Sequence, residues 1–253
     1  MLKRRIIPLL LWSEGRLVKT VSMDTRKVVG DPVRTSKVYS DQDADEIIII
    51  DISRDEQFRP AFFDSLRKIS KEVMMPITVG GGVESLDIAR QMFDSGADKV
   101  LVNSSAFSNK SLLEQIATDF GSQALVVGVD FRRKDEGQVE LYSSAGSKRQ
   151  LISMREHLKA VEEFGAGELF LQSKDRDGTG MGLDLEVIRE ALETSSVPVV
   201  ACGGVGTFTH LLEAFSLGVD GVGCGTLFNF GDNNPIRAKA YLRNFGINLK
   251  KQS

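Results

Sequence analysis

The chain repeats itself, and that limits its possible folds more than any other feature. Residues 76–105, PITVGGGVESLDIARQMFDSGADKVLVNSS, align without a gap on residues 198–227, PVVACGGVGTFTHLLEAFSLGVDGVGCGTL. The two stretches lie 122 positions apart. They coincide at Pro76/Pro198, Gly81/Gly203, Gly82/Gly204, Val83/Val205, Phe93/Phe215, Gly96/Gly218, Asp98/Asp220 and Val100/Val222. Glu46 and Glu168 keep the same spacing, as do Gly15 and Gly137. Half of 253 residues is close to that spacing, so the repeating unit is half the molecule, about 1–122 and 123–253.

Around this repeat, short β-rich runs alternate with amphipathic helical stretches. The strand candidates are Arg5–Leu11, Glu46–Asp51, Pro76–Val79, Lys99–Asn103, Ala124–Asp130, Glu168–Gln172, Pro198–Cys202 and Gly221–Cys224. Helical patterns fall near 31–43, 60–73, 84–95, 109–120, 151–164, 183–195, 206–217 and 234–246. Eight strand–helix units in a chain of this length predict an α/β fold, a single (β/α)8 TIM barrel built from two half-barrels. The longest connection, 131–150, is polar and reads as a small hairpin or a loop over the site.

Composition removes several classes of function. The net charge of −3 gives no basic field for nucleic acid. No apolar run approaches the ~18 residues of a membrane span, and no secretory leader is apparent. Cys202 and Cys224 have no metal-ligand spacing and make no disulfide framework, so a cytoplasmic setting is expected. The two histidines, His157 and His210, fall inside helical patterns, which argues against a histidine triad or a multi-histidine metal site. No metal or cofactor is expected.

A barrel carries its chemistry at the C-terminal ends of its strands. Gly203-Gly204 follows the seventh strand and Gly225-Thr226 the eighth; Gly81-Gly82 follows the third and Asn103-Ser104 the fourth. Bare backbone N–H groups at such turns bind phosphate, and Ser104 and Thr226 add hydroxyls at equivalent positions. One glycine pair alone would read as a tight turn. Two pairs at symmetric strand ends predict a ligand with a phosphate at each end.

The segments RRII…EGRLVK (4–19), GDPV (30–33), DEIIIIDI (45–52), TVGGGV (78–83), GADKVLVNSSA (96–106), FGSQALVVGVD (120–130), GAGELFLQSKDRDGT (165–179) and ACGGVG (201–206) resemble HisF, the cyclase subunit of imidazole glycerol phosphate synthase. The sister family HisA fits less well. The resemblance implies a lyase-type synthase subunit that receives ammonia from a separate HisH-like glutaminase and uses it on a phosphorylated small molecule. It implies acid–base carboxylates at the ends of the first and fifth strands. Asp130 matches one, but position 11, where the other belongs, is Leu11. Lys19 matches the family's active-site lysine, although its spacing alone reads as a solvated surface residue. Asp177 and Gly178 of DRDGT join the phosphate-binding set. Arg5, Glu46, Lys99 and Glu168, each at a strand start, match the family's ammonia gate, and Asp98 matches a contact to the glutaminase.

The stretch LLLWSEGRLVKT also resembles a divergent HisF branch linked to surface polysaccharides, in which ammonia serves a sugar amidation enzyme that forms an acetamidino group. Three readings therefore stand. The first is a HisF-type ammonia-transferring subunit whose acceptor is not the histidine precursor. The second is a genuine histidine-pathway cyclase, and the third a non-catalytic scaffold for the glutaminase. Met74-Met75 reads as packing before the third strand. Trp12 reads either as a cap on the barrel mouth or as a partner contact.

Overall fold

A computed structural model describes residues 3–24, 27–53, 55–134, 137–229 and 232–250. The strands of the first half are β1 (Arg5–Ser13), β2 (Arg16–Lys19), β3 (Lys27–Gly30), β4 (Ile47–Asp51), β5 (Ile77–Gly80) and β6 (Lys99–Val102). Those of the second are β7 (Leu125–Arg133), β8 (Val139–Ser143), β9 (Lys148–Gln150), β10 (Glu168–Ser173), β11 (Val199–Cys202) and β12 (Gly221–Cys224). Eight of them, β1, β4, β5, β6, β7, β10, β11 and β12, pair in parallel, and β12 returns to β1 to close the ring. This is the expected (β/α)8 barrel.

The helices are α1 (Pro32–Asp41), α2 (Arg59–Glu72), α3 (Leu86–Asp94), α4 (Ser104–Ser108), α5 (Lys110–Phe120), α6 (Met154–Glu163), α7 (Leu185–Thr194), α8 (Phe208–Leu217), α9 (Thr226–Asn229) and α10 (Pro235–Arg243). Their starts are written in the chain. Asp31 caps α1 by accepting from Arg34 N–H just ahead of Pro32, and Ser153 with Glu156 forms a capping box on α6.

The ladder registers repeat with the sequence. Thr78 pairs with Lys99, and Val200 with Gly221; Ile47 pairs with Ile77, and Leu169 with Val199. Each pair maps onto the other with a shift of 122. The first strands differ. Leu11 sits opposite Ile50, and Asp130 opposite Gln172, so Leu11 and Asp130 are structural equivalents only 119 apart. The three-residue difference is absorbed beyond the barrel. β1 runs on into an antiparallel hairpin with β2, turning at Glu14-Gly15, and β3 extends it. β7 runs on in the same way into β8 and β9, with a longer turn that holds Gly137. The 131–150 connection is therefore the distal part of this three-stranded extension, and not a bare loop.

Two apolar layers result from the alternation of side chains along each strand. The larger lies between strands and helices and includes Trp12, which is fully buried and packs at a tilt against Phe62 of α2 with ring centroids 5.1 Å apart. Trp12 thus points away from the barrel axis; it neither caps the mouth nor faces a partner. Met75 is buried as expected, but Met74 is 94% exposed. The smaller layer fills the barrel itself with Ile7, Leu9, Ile48, Leu101, Val126, Phe170, Val200 and Cys202. Among the described residues, no helix is long and apolar enough to cross a membrane.

Candidate active site and ionic ring

The first inward position of four strands is charged, and the four side chains meet. Arg5 donates to Glu46 at 2.6 Å and to Glu168, and Lys99 Nζ lies 3.0 Å from Glu46 and 2.7 Å from Glu168. Thr78 Oγ1 donates a further bond to Glu46. Cations and anions alternate around a closed ring at the N-terminal end of the barrel. Burial works against these charges, but Arg5 and Lys99 outweigh it and hold the Glu168 carboxyl below its usual pKa. The glutamates are repeat mates, yet both cations come from the first half. The register sets Ala124 and Gly221 where the second half would carry Arg5 and Lys99. Asp98 lies on the same rim, exposed, with one oxygen accepting from Ile77 N–H at 2.8 Å; Asp220 holds Val199 N–H in the same way.

At the opposite end the strand termini enclose a cavity of about 600 Å³, within the range for small-molecule sites. Gly81, Gly82, Asn103, Ser104, Asp51, Asp130, Gln172 and Asp177 line it. A small adjoining recess is lined by Gly178, Gly203, Gly204, Gly225, Thr226 and Lys19. Leu9, Leu11 and Asp177 border both spaces. Every residue singled out for phosphate binding therefore faces one of these two neighbouring spaces.

The glycine turns need glycine. Gly81 has φ +107°, and a Cβ there would lie 2.2 Å from Asp51 O; its repeat mate Gly203 has φ +95° and would meet Ser173 O at 2.6 Å. Ser104 Oγ accepts from Ser144 N–H at 2.9 Å, and Lys174 Nζ donates to Gly146 O at 2.7 Å. These bonds hold the β8–β9 tip against the cavity.

Lys19 is not a surface lysine. It is 8% exposed, donates to Thr20 O at 2.6 Å and lies 3.6 Å from Asp177. Asp177 also accepts from Thr20 Oγ1 at 2.7 Å and Met23 N–H at 3.1 Å, which ties the loop after β2 to the loop after β10.

Asp130 points inward beside Gln172. Burial pushes its carboxyl up to about 7; a hydrogen bond from Asn103 opposes that rise, the nearby Asp177 charge adds to it and Lys174 opposes it. A carboxyl poised there can give and take a proton at neutral pH. Leu11, at the equivalent place on β1, offers only methyl groups. The remaining candidates are inert. Cys202 and Cys224 are buried free thiols, and burial pushes Cys202 up to about 12. His157 is buried against Phe107, with its pKa lowered to about 4 by burial.

Gln172 carries no sequence signature; it lies one residue before the end of a buried strand. Only the ladder sets it beside Asp130.

Comparison with known proteins agrees with this architecture. The pattern of the histidine biosynthesis protein family matches residues 5–234. Imidazole glycerol phosphate synthase subunit HisF of Alkaliphilus metalliredigens is 38% identical over 252 residues, spanning 99% of this chain and all of that protein. The HisF subunits of a Thermotoga species (38% over 250 residues, 99% of this chain and 98% of theirs) and of Pyrobaculum aerophilum (40% over 248 residues, 97% and 98%) are similar along their whole length. With its closed eight-stranded barrel and this likeness from end to end, the chain belongs to the HisF group of the histidine biosynthesis protein family.

Proposed function

We propose that this chain is the synthase subunit of a two-component glutamine amidotransferase. In this reading a HisH-like glutaminase docks on the face that carries the ionic ring and Asp98. Ammonia passes the ring and the apolar interior, and a phosphorylated acceptor receives it in the 600 Å³ cavity. An interior lined by Ile7, Ile48, Val126 and Phe170 suits neutral ammonia, because an ion there would lose its hydration. The glycine turns at Gly81-Gly82 and Gly203-Gly204, with Ser104 and Thr226, are the phosphate cradles.

The observation that carries the proposal is Leu11 at the β1 position equivalent to Asp130, where the resemblance to HisF implies a second carboxylate. Two carboxylates with separated pKa values let one site run acid and base steps together. With Asp130 alone, the acceptor is one whose amination needs a single proton relay, which points away from the histidine precursor.

The test is growth of a histidine auxotroph that lacks its own HisF. Wild-type protein with its glutaminase is expected not to support growth, and Leu11→Asp is expected to restore it. Growth on the wild type would overturn the assignment of acceptor. A second reading, a working histidine cyclase, is favoured by one observation: Lys19, Asp177 and Asp130 all sit at the strand ends around the cavity.

A further inference from the structure

A phosphate that enters the large cavity meets an adverse field. Asp24, Asp51, Glu84, Asp130 and Asp177 line it, and among the described residues its lining holds no lysine or arginine. Lys174 acts on Asp130 from nearby, but its Nζ is committed to Gly146 O and to the face of Tyr142. The recess beside Gly203-Gly204 is different, because Lys19 lines it. The Gly81-Gly82 turn therefore has no cation on the side from which a phosphate would approach.

A cation stands on the other side of that turn. Arg59, the first residue of α2, is half-buried and does not line the cavity. Its guanidinium lies against Gly82, where a Cβ would come 2.3 Å from Nη2. Nη1 donates to Gly81 O at 3.3 Å, and among the described residues Arg59 makes no other hydrogen bond or ion pair. Helix stability does not account for it, since the helix dipole disfavours a cation at the first residue. In a planar trans peptide the C=O and N–H point in opposite directions. Drawing Gly81 O back towards Arg59 thus aims the Gly82 N–H to the cavity side, and among the described residues that N–H has no acceptor. The second half holds its turn by main chain instead. Gly204 O accepts from Gly182 N–H at 2.7 Å, and Arg176 directs its guanidinium to Gly182 O and Leu183 O.

We propose that Arg59 is the positioning residue of the Gly81-Gly82 phosphate site: it orients the turn so that the Gly82 N–H faces the ligand, and its charge acts on the phosphate through the bare glycine. A side chain at position 82 would displace the guanidinium. The inference rests on the proposed function in taking both glycine turns as phosphate cradles, and it adds the cation that the cavity lining does not supply.

The experiment uses the internal control that the repeat provides. Crystals of the full chain, wild type and Arg59→Met, are soaked in a concentration series of inorganic phosphate, and occupancy is refined separately at the two turns. Wild-type crystals are expected to take up phosphate at both. Arg59→Met is expected to raise the half-occupancy concentration at Gly81-Gly82 by about threefold to fivefold, the upper end of what one half-exposed charge contributes, and to leave Gly203-Gly204 unchanged. Arg59→Gln, which removes the charge but can still reach Gly81 O, takes its place with the same reading should Arg59→Met not fold. Phosphate at Gly81-Gly82 with undiminished occupancy in the variant would overturn the role of Arg59 and leave the cradles standing. Equal weakening at both turns would also overturn it, as a general loss of structure. Phosphate absent from Gly81-Gly82 in wild-type crystals would remove the site that Arg59 serves, and absence from both turns would overturn the cradle reading itself.

Discussion

At the end of β7, Asp130 stands beside Gln172 and Asn103, in polar company and with its pKa raised. At the end of β1, in the corresponding place, Leu11 stands beside Ile50 and near Leu9. The backbones match strand for strand, so the difference lies in side chains alone. One half of the barrel keeps a proton-handling group and the other presents a greasy wall to the same cavity. The ionic ring shows the reverse imbalance: its two cations, Arg5 and Lys99, come from the half that lacks the carboxylate. The halves thus differ in what they carry, with the raised carboxyl in the second and the cations of the ring in the first.

The strongest test of this division is Asp130→Asn. Nitrogen transfer with the glutaminase present, followed by labelled glutamine, is expected to fall by on the order of 10² to 10⁴, because no second carboxylate stands on β1 to compensate. A loss under tenfold would mean the two halves are not so divided.

Lys99→Ala removes one cation and leaves Glu46 and Glu168 sharing Arg5. Breaking a buried ion pair on one side is expected to cost about 3 kcal/mol, read as a lower urea midpoint. The same variant should change the coupling between glutamine hydrolysis and nitrogen transfer. Unchanged coupling would separate the ring from ammonia passage.

Gly81→Ala and Gly203→Ala probe what the halves still share. Each needs a positive φ and has a carbonyl oxygen where a Cβ would go. Each should destabilise by roughly 1–3 kcal/mol, and by similar amounts. A large difference would show that one turn has drifted from its mate.

A last test reads pH dependence. Burial raises the Asp130 carboxyl from 3.8 to about 7, so between these values the folded chain binds more protons than the unfolded one. Stability from this group therefore declines as pH rises from about 4 to about 7, and is flat beyond. Urea midpoints of Asp130→Asn should lack this part of the decline.

The eight barrel strands were legible because each is an apolar run buried on both faces, such as Ile47–Asp51 and Leu125–Val129. The hairpin strands were not. β2, RLVK, and β9, KRQ, are short and charged, and nothing in their composition separates them from loop. The four ring residues could be placed from their strand-start positions and balanced charge taken together with the resemblance to the family's gate; singly, each reads as a solvated rim residue. Lys19 could not, because its burial depends on Asp177, which lies far along the chain and meets it only when the barrel closes. Gln172 and the amide of Asn103 were invisible for the same reason. Their meaning lies in what stands opposite, which only the ladder supplies.

The hairpins that leave β1 and β7 have one more consequence. A ring of strands that bites its own tail has no room for added residues, since lengthening one member would shear all the others. The second half is nevertheless three residues longer between its β7 and β10 than the first half between β1 and β4, and the difference lies outside the ring, in the stretch that holds the hairpin extension. The overhang is thus the adjustable part of a rigid vessel: its reach across the mouth can grow or shrink over generations while the wall beneath stays in register.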